Sequence, residues 1–204
     1  MTVQTDADRQ WLGYQHKLRD FLPQSRYEHS LRVADEAGKL ARHYGLDEAG
    51  ARLAGLLHDV ARDLSFDTLL TLAARFGLPV GPEEKIKPIL LHAPVGAALL
   101  KNEWGIENEA VLKAVSLHTV AAPDMDDFCQ LLYLADIIEP GRKKWPGFTA
   151  LRDQSYRHLG RAMLLALKED FTYFKANRKF IHPQALAAYD FWARQFLEQE
   201  SAEK

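Results

Sequence analysis

Six side chains in this sequence can do metal chemistry together: His29, His58, Asp59, His92, His118 and Asp136. His29 lies four residues before Val33, on a face that continues through Ala37 and Leu40, so its ring points inward. His58 and Asp59 follow LAGLL directly, at the end of an apolar helix where an unpaired carboxylate is costly to bury. His92 ends the run PILLH just before Pro94. His118 stands three after Val115 and seven after Val111, again on an apolar face. Asp136 interrupts QLLYLADIIEP, which is apolar on nearly every face, so a cation, several donors or a proton must stabilise it. Each histidine alone is compatible with ordinary core packing, and Asp136 alone with a salt bridge to an arginine. Four inward imidazoles and two inward carboxylates together call for a shared partner, and a metal centre supplies one.

Nitrogen and carboxylate oxygen without thiolate suit iron, manganese, cobalt, nickel or zinc rather than calcium. Six ligands exceed what one open catalytic ion needs. Two divalent ions about 3.5–4 Å apart, bridged by a carboxylate, fit hydrolytic phosphoryl chemistry, and Asp59 is the natural bridge because it adjoins His58. The other histidines, His16, His43, His158 and His182, sit at helix ends or among polar residues and receive no role.

The elements that must position these groups read as helices. Periodicity and stop signals predict helices over 24–44, from Asp47 into the His58-Asp59 pair, and from about Ser65 to Phe76. Further helices fit 83–91, 94–104, 108–119, 126–138, 155–176 and 183–200. Pro79, Gly81 and Pro82 mark a break, and Trp145-Pro146-Gly147 a loop. No alternating strand run, internal repeat or heptad seam occurs. The expectation is an all-α fold over 1–204 as a single domain. Its metal-binding core covers about 20–140, and a helical extension over about 150–200 covers the site or forms an interface.

At 204 residues, 47% apolar and 26% charged, the chain can bury one sizeable core. A net charge of −2 offers no global basic field for nucleic acid or an anionic membrane, so a phosphate-bearing partner must be held locally. The single cysteine, Cys129, excludes an intramolecular disulfide and reads as a buried small hydrophobe. The start lacks a secretory pattern and no stretch approaches a membrane span, so the expectation is a cytoplasmic protein.

The order H…HD…H…H…D, here His29, His58-Asp59, His92, His118 and Asp136, resembles the signature of the HD-domain metallophosphohydrolase superfamily. The flanking words RYEHSLRVA (26–34), LAGLLHDVARDL (53–64), LLHAPVGA (90–97), SLHT (116–119) and YLADIIEPGR (133–142) are similar to the YqeK-type symmetrical diadenosine tetraphosphate hydrolases. NRKFIHP (177–183) is similar more loosely. The resemblance covers about residues 20–150. It implies a domain of the HD helical-bundle type, in which water at a dinuclear centre, typically iron, cleaves diadenosine tetraphosphate into two ADP. It also implies that His29, His58, Asp59 and Asp136 hold one ion, and His92 and His118 the second, with Asp59 shared. Arg26, Arg62 and Arg142 match positions that face the nucleotide phosphates, and the loop from Lys143 to Gly147 helps seat the nucleotide. Position 62 is arginine where lysine is usual, and the loop RKKWPGF is one residue longer than the common form.

On this reading the ions and the three arginines offset charge on the phosphoryl oxygens, while Asp63 can relay a proton or be a solvated loop residue. Trp145, Phe148, Tyr173 and Phe174 are candidates to stack on adenine, with core packing favoured for Tyr173 and Phe174. Two other functions stay open. One is a phosphohydrolase on the same scaffold acting on nucleoside monophosphates, cyclic dinucleotides or guanosine polyphosphates. The other is a non-catalytic nucleotide-sensing module. The aromatic C-terminal region allows a homodimer.

Overall fold

The computed structural model describes residues 6–202, with side chains over 9–196. The fold is all-α: eleven α-helices, one 3-10 turn and no strand among the described residues. In chain order the helices are α1 (Asp6–Phe21), α2 (Gln24–Tyr44), α3 (Glu48–Leu57), α4 (Phe66–Arg75), α5 (Pro82–Ile86), α6 (His92–Trp104), α7 (Glu109–Leu117), α8 (Asp127–Ile138), α9 (Phe148–Ser155), α10 (Leu159–Ala176) and α11 (Pro183–Ala202). No described helix is long and apolar enough to cross a membrane.

Local chemistry sets most boundaries. Asp47, Ser65, Asn108 and Asp126 cap α3, α4, α7 and α8 by accepting backbone N–H groups of the first turn. Gly45 and Gly105 close α2 and α6 in the left-handed conformation, at φ 68° and 70°.

Five features differ from the sequence expectation. Helix α1 was not anticipated, although Trp11, Tyr14 and Leu18 form its inward face. The expected helix over 83–91 is two pieces, α5 and a 3-10 turn over Pro88–Leu91. Pro88 has no N–H to give and forces Lys87 out of helical geometry, at φ −133° and ψ 73°. Helix α6 therefore opens at His92 rather than Pro94. Beyond the 145–147 loop, an extra short helix, α9, precedes α10, which starts at Leu159 because the His158 ring caps it.

A single cluster of buried apolar side chains runs from Leu18 on α1 to Phe196 on α11. Helices α2, α3 and α8 pack against one another at its centre, and α6 and α7 close one flank. The α2–α3 approach is set by a glycine. A Cβ on Gly55 would lie 2.7 Å from Ala34 Cα and 2.9 Å from Val33 C, so only a bare backbone lets the helices come this close. Helix α8 is buried almost all round, as its composition requires, with Cys129 fully enclosed. On the other side α10 packs on α8 and α9, and α11 on α10. The fully buried Glu36 of α2 ties this half to the rest by accepting from Arg152 at 2.9 Å and Tyr156 Oη at 2.9 Å.

Candidate metal centre

Three of the four inward histidines sit at helix ends: His58 caps α3, His118 caps α7 and His92 opens α6 after the 3-10 turn. Backbone carbonyls at a helix C-terminus lack helical partners, and His58 and His118 each use one; His92 shares Ile89 O with its own backbone N–H. His58 Nδ1 donates to Gly55 O at 2.8 Å, His92 Nδ1 to Ile89 O at 2.6 Å, and His118 Nδ1 to Val115 O at 2.7 Å. His29, mid-helix on α2, has no such carbonyl and donates instead to Glu139 Oε1 at 3.0 Å. All four acceptors fix the proton on Nδ1, leaving an Nε2 lone pair aimed at the centre of the bundle.

Asp59 stands between these lone pairs. Its Oδ2 is 3.9 Å from His29 Nε2 and 3.5 Å from His58 Nε2. Its Oδ1 is 3.3 Å from His92 Nε2 and 3.6 Å from His118 Nε2. Two groups result, His29–His58–Asp59 and Asp59–His92–His118, each with ligand atoms within 4.8 Å of one another. Asp136 Oδ1 joins the first group, 3.0 Å from His29 Nε2 and 3.7 Å from His58 Nε2.

This donor set fits cations. The buried Nε2 atoms of His29 and His58 make no hydrogen bond, although for His29 a carboxylate oxygen is close. Lone pairs facing lone pairs repel, and a cation between them turns the arrangement into attraction. His92 Nε2 and His118 Nε2 likewise face each other at 3.1 Å, with Thr119 Oγ1 beside both. Electrostatics agree. Burial pushes His58 down to about 4, keeping it neutral as a ligand must be. Burial also lowers His92. For His118 burial is outweighed by its hydrogen bond and charge contact with Asp59, and its pKa is raised. Burial opposes ionisation of Asp59 and Asp136, yet the surrounding rings, with Arg142 beside Asp136, hold both below the usual carboxylate range.

The rim is basic. Arg26, Arg62 and Arg142 line a cavity of about 240 Å³ over the two groups. Arg26 Nη1 donates to Asp59 Oδ2 at 2.9 Å, and its Nε to Asp63 at 3.2 Å. Asp63 is thereby placed on the outer side of Arg26 and does not line the cavity. Arg142 Nε donates to Asp136 O at 2.8 Å, and its Nη2 to the Asp136 carboxylate. An arginine partner for Asp136 and closeness to the histidines thus coexist. Lys143 is exposed and lines none of the cavities around the centre. Gly147 backs onto Trp145 and Glu169.

A neighbouring cavity of about 550 Å³ is lined by Trp145, Tyr173, Glu169, Asp170 and Asn177. Tyr173 is 52% exposed there, contrary to the expected core packing, because α10 presents it outward beside the loop. Phe148, expected as a stacking candidate, is in the core at 4% exposure.

Glu139, Thr119 and the Tyr133–Asp170 pair (Tyr133 Oη donating at 3.3 Å) escaped the sequence analysis. Glu139 was readable only as part of the Glu139-Pro140-Gly141 helix stop, yet it is 1% exposed, and a buried carboxylate at a helix end is itself a signal.

Comparison with known proteins agrees with this geometry. The profile of the HD domain family matches residues 26–141. A symmetrical bis(5'-nucleosyl)-tetraphosphatase of Halalkalibacterium halodurans is 34% identical over 178 residues, covering 85% of this chain and 91% of that protein. A Staphylococcus aureus protein of the same name is 38% identical, covering 68% of this chain and 70% of its own. A crystal structure from Clostridium acetobutylicum, described as a predicted HD superfamily hydrolase involved in NAD metabolism, superposes with a TM-score of 0.87 at 32% identity. It covers 91% of this chain and 97% of that one. The matched segment spans more than half of the sequence and takes in all six inward histidines and aspartates, and the chain belongs to the HD domain family.

Proposed function

We propose that this protein is a metal-dependent phosphohydrolase that cleaves diadenosine tetraphosphate at its central anhydride, releasing two ADP. One observation carries the reading: four imidazoles with outward-held Nδ1–H groups converge on Asp59, beneath a cavity rimmed by three arginines. The names of the relatives supply the substrate class.

In this reading His29, His58, Asp59 and Asp136 hold one divalent ion and Asp59, His92 and His118 the other, with iron as the physiological metal. When bound, such a pair supplies Lewis acidity and a water of lowered pKa. The chain's own residues do the rest. Arg26, Arg62 and Arg142 bind the phosphoryl oxygens; a guanidinium has five N–H donors, so Arg26 and Arg142 can keep their carboxylate pairs while doing so. Asp63 orients Arg26. Arg142 and Trp145, from the 142–147 loop, line the larger cavity, where Trp145 and Tyr173 offer stacking faces to one nucleoside; Lys143 and Gly147 of the same loop stand outside that lining. We place the enzyme in the cytoplasm, as one domain with a capacity to form a homodimer; the lone buried Cys129 suits a reducing compartment.

A substrate panel tests this. Protein loaded with iron or manganese should turn over diadenosine tetraphosphate far faster than nucleoside monophosphates, cyclic dinucleotides or guanosine polyphosphates. A stronger preference for any of these would replace the substrate. Tight nucleotide binding with no turnover under any metal would favour a sensing module.

A further inference from the structure

The cavity over the metal centre opens in two directions. On one side it shares Ile137, Arg142 and Asp170 with the 550 Å³ cavity. On the other it shares Thr119, Tyr133 and Asp170 with a third cavity of about 160 Å³. These shared walls correspond to the two ligand groups. Arg142 grips Asp136, which faces His29 and His58. Thr119 Oγ1 lies 3.1 Å from His92 Nε2 and 3.2 Å from His118 Nε2. Each flanking cavity therefore begins beside a different half of the metal centre.

The third cavity has aromatic and aliphatic walls, with Asp170 and Thr119 at the end it shares with the metal centre. Phe171, Phe174 and Phe180 line it, with the exposed Lys87 beside them. Phe180 is 43% exposed, yet the segment carrying it is held on both sides. Lys179 N donates to Phe174 O at 2.8 Å, His182 Nε2 lies 3.3 Å from Glu84 Oε1, and Gln184 Nε2 donates to Ala121 O at 2.8 Å. An exposed ring on a fixed segment, in a cavity that other rings and a cation also line, is suited to a flat aromatic ligand with an anionic tail. The volume is below that of a pocket for a whole drug-sized ligand, and matches a base alone.

We propose that this cavity seats the second nucleobase of a dinucleoside polyphosphate, stacked between Phe174 and Phe180, with Lys87 meeting the adjoining phosphate. The inference rests on the phosphohydrolase reading. It accounts for a central cut: with one nucleoside in the larger cavity and the other base in the smaller, the phosphate chain crosses both ligand groups. The two halves of a symmetrical substrate are thus held by unlike sites.

ADP is the probe, its binding counted by calorimetry on the metal-loaded protein. Wild-type protein should bind two ADP per chain. Phe180→Ala and Phe174→Ala should each bind one, with unchanged melting temperature, and should raise KM for diadenosine tetraphosphate about tenfold, the scale of one lost stacking contact. Trp145→Ala should also bind one, and the Trp145→Ala/Phe180→Ala double variant none. Wild-type binding of a single ADP, or two ADP with wild-type affinity in the phenylalanine variants, would overturn the proposal. Should Phe174→Ala melt early, the exposed Phe180 decides alone. Absence of turnover by the wild type would instead defeat the phosphohydrolase reading, so the two failures are distinct.

Discussion

Glu139 accepts the Nδ1–H of His29 at 3.0 Å from behind, across 110 residues of sequence, and Arg32 Nε holds the same carboxylate at 2.7 Å. Burial opposes the Glu139 charge, but Arg32 and His29 outweigh it and lower its pKa. The carboxylate fixes the ring's tautomer and makes Nε2 a stronger donor to a metal. Glu139→Gln keeps an acceptor and loses the charge. It should weaken metal binding about 10–100-fold, read by competition with a chelator, while the helical circular dichroism stays that of the wild type.

Asp59 belongs to both ligand groups, so its loss should remove more metal than the loss of any histidine. Asp59→Asn should leave less than one ion per chain by elemental analysis and lower turnover by at least about a hundredfold. His92→Ala should leave the first group, and one ion, in place.

Gly55 serves twice, letting α3 approach α2 and offering the carbonyl that His58 Nδ1 binds. Alanine in a helix normally gains about 1 kcal/mol over glycine. Here the added methyl meets backbone, which cannot swing aside, and overpacking of this kind costs about 1–3 kcal/mol. Gly55→Ala should therefore be net destabilising by urea denaturation and should lower metal occupancy as His58 shifts.

Asp170 is raised to about 6, chiefly by burial and then by Asp136 and Glu169, against the Tyr133 hydrogen bond and Arg142. A raised carboxylate means the folded chain binds the proton more tightly than the unfolded one. Its contribution to stability is complete below the ordinary value of 3.8 and is lost as pH rises through about 6. Asp170→Asn should accordingly be more stable than wild type by about 1–2 kcal/mol at pH 7.5, with the difference vanishing towards pH 4, in denaturation curves across that range.

The inward six were legible because burying an ionisable group on an apolar helix face is costly, and the sequence pattern exposes that cost at each position. Asp136 within an otherwise apolar α8 shows it most sharply. What surrounds them was not legible. Glu139 acts on His29 only because α8 lies along α2, and Thr119 acts only because α6 and α7 bring His92 and His118 face to face. Such roles belong to long-range packing, which has no local pattern. Helices α1 and α9 escaped for a different reason: their apolar stripes are narrow and interrupted, and tertiary contacts of Leu18, Phe148 and Leu151 hold them. Pro88 could have been read correctly, since proline inside a helical pattern breaks it.

The central claim is hydrolysis across the middle of a four-phosphate chain, and the products report it. Metal-loaded protein given diadenosine tetraphosphate, with nucleotides separated by ion-exchange chromatography early in the time course, should yield ADP alone. AMP and ATP in equal amounts would contradict the account.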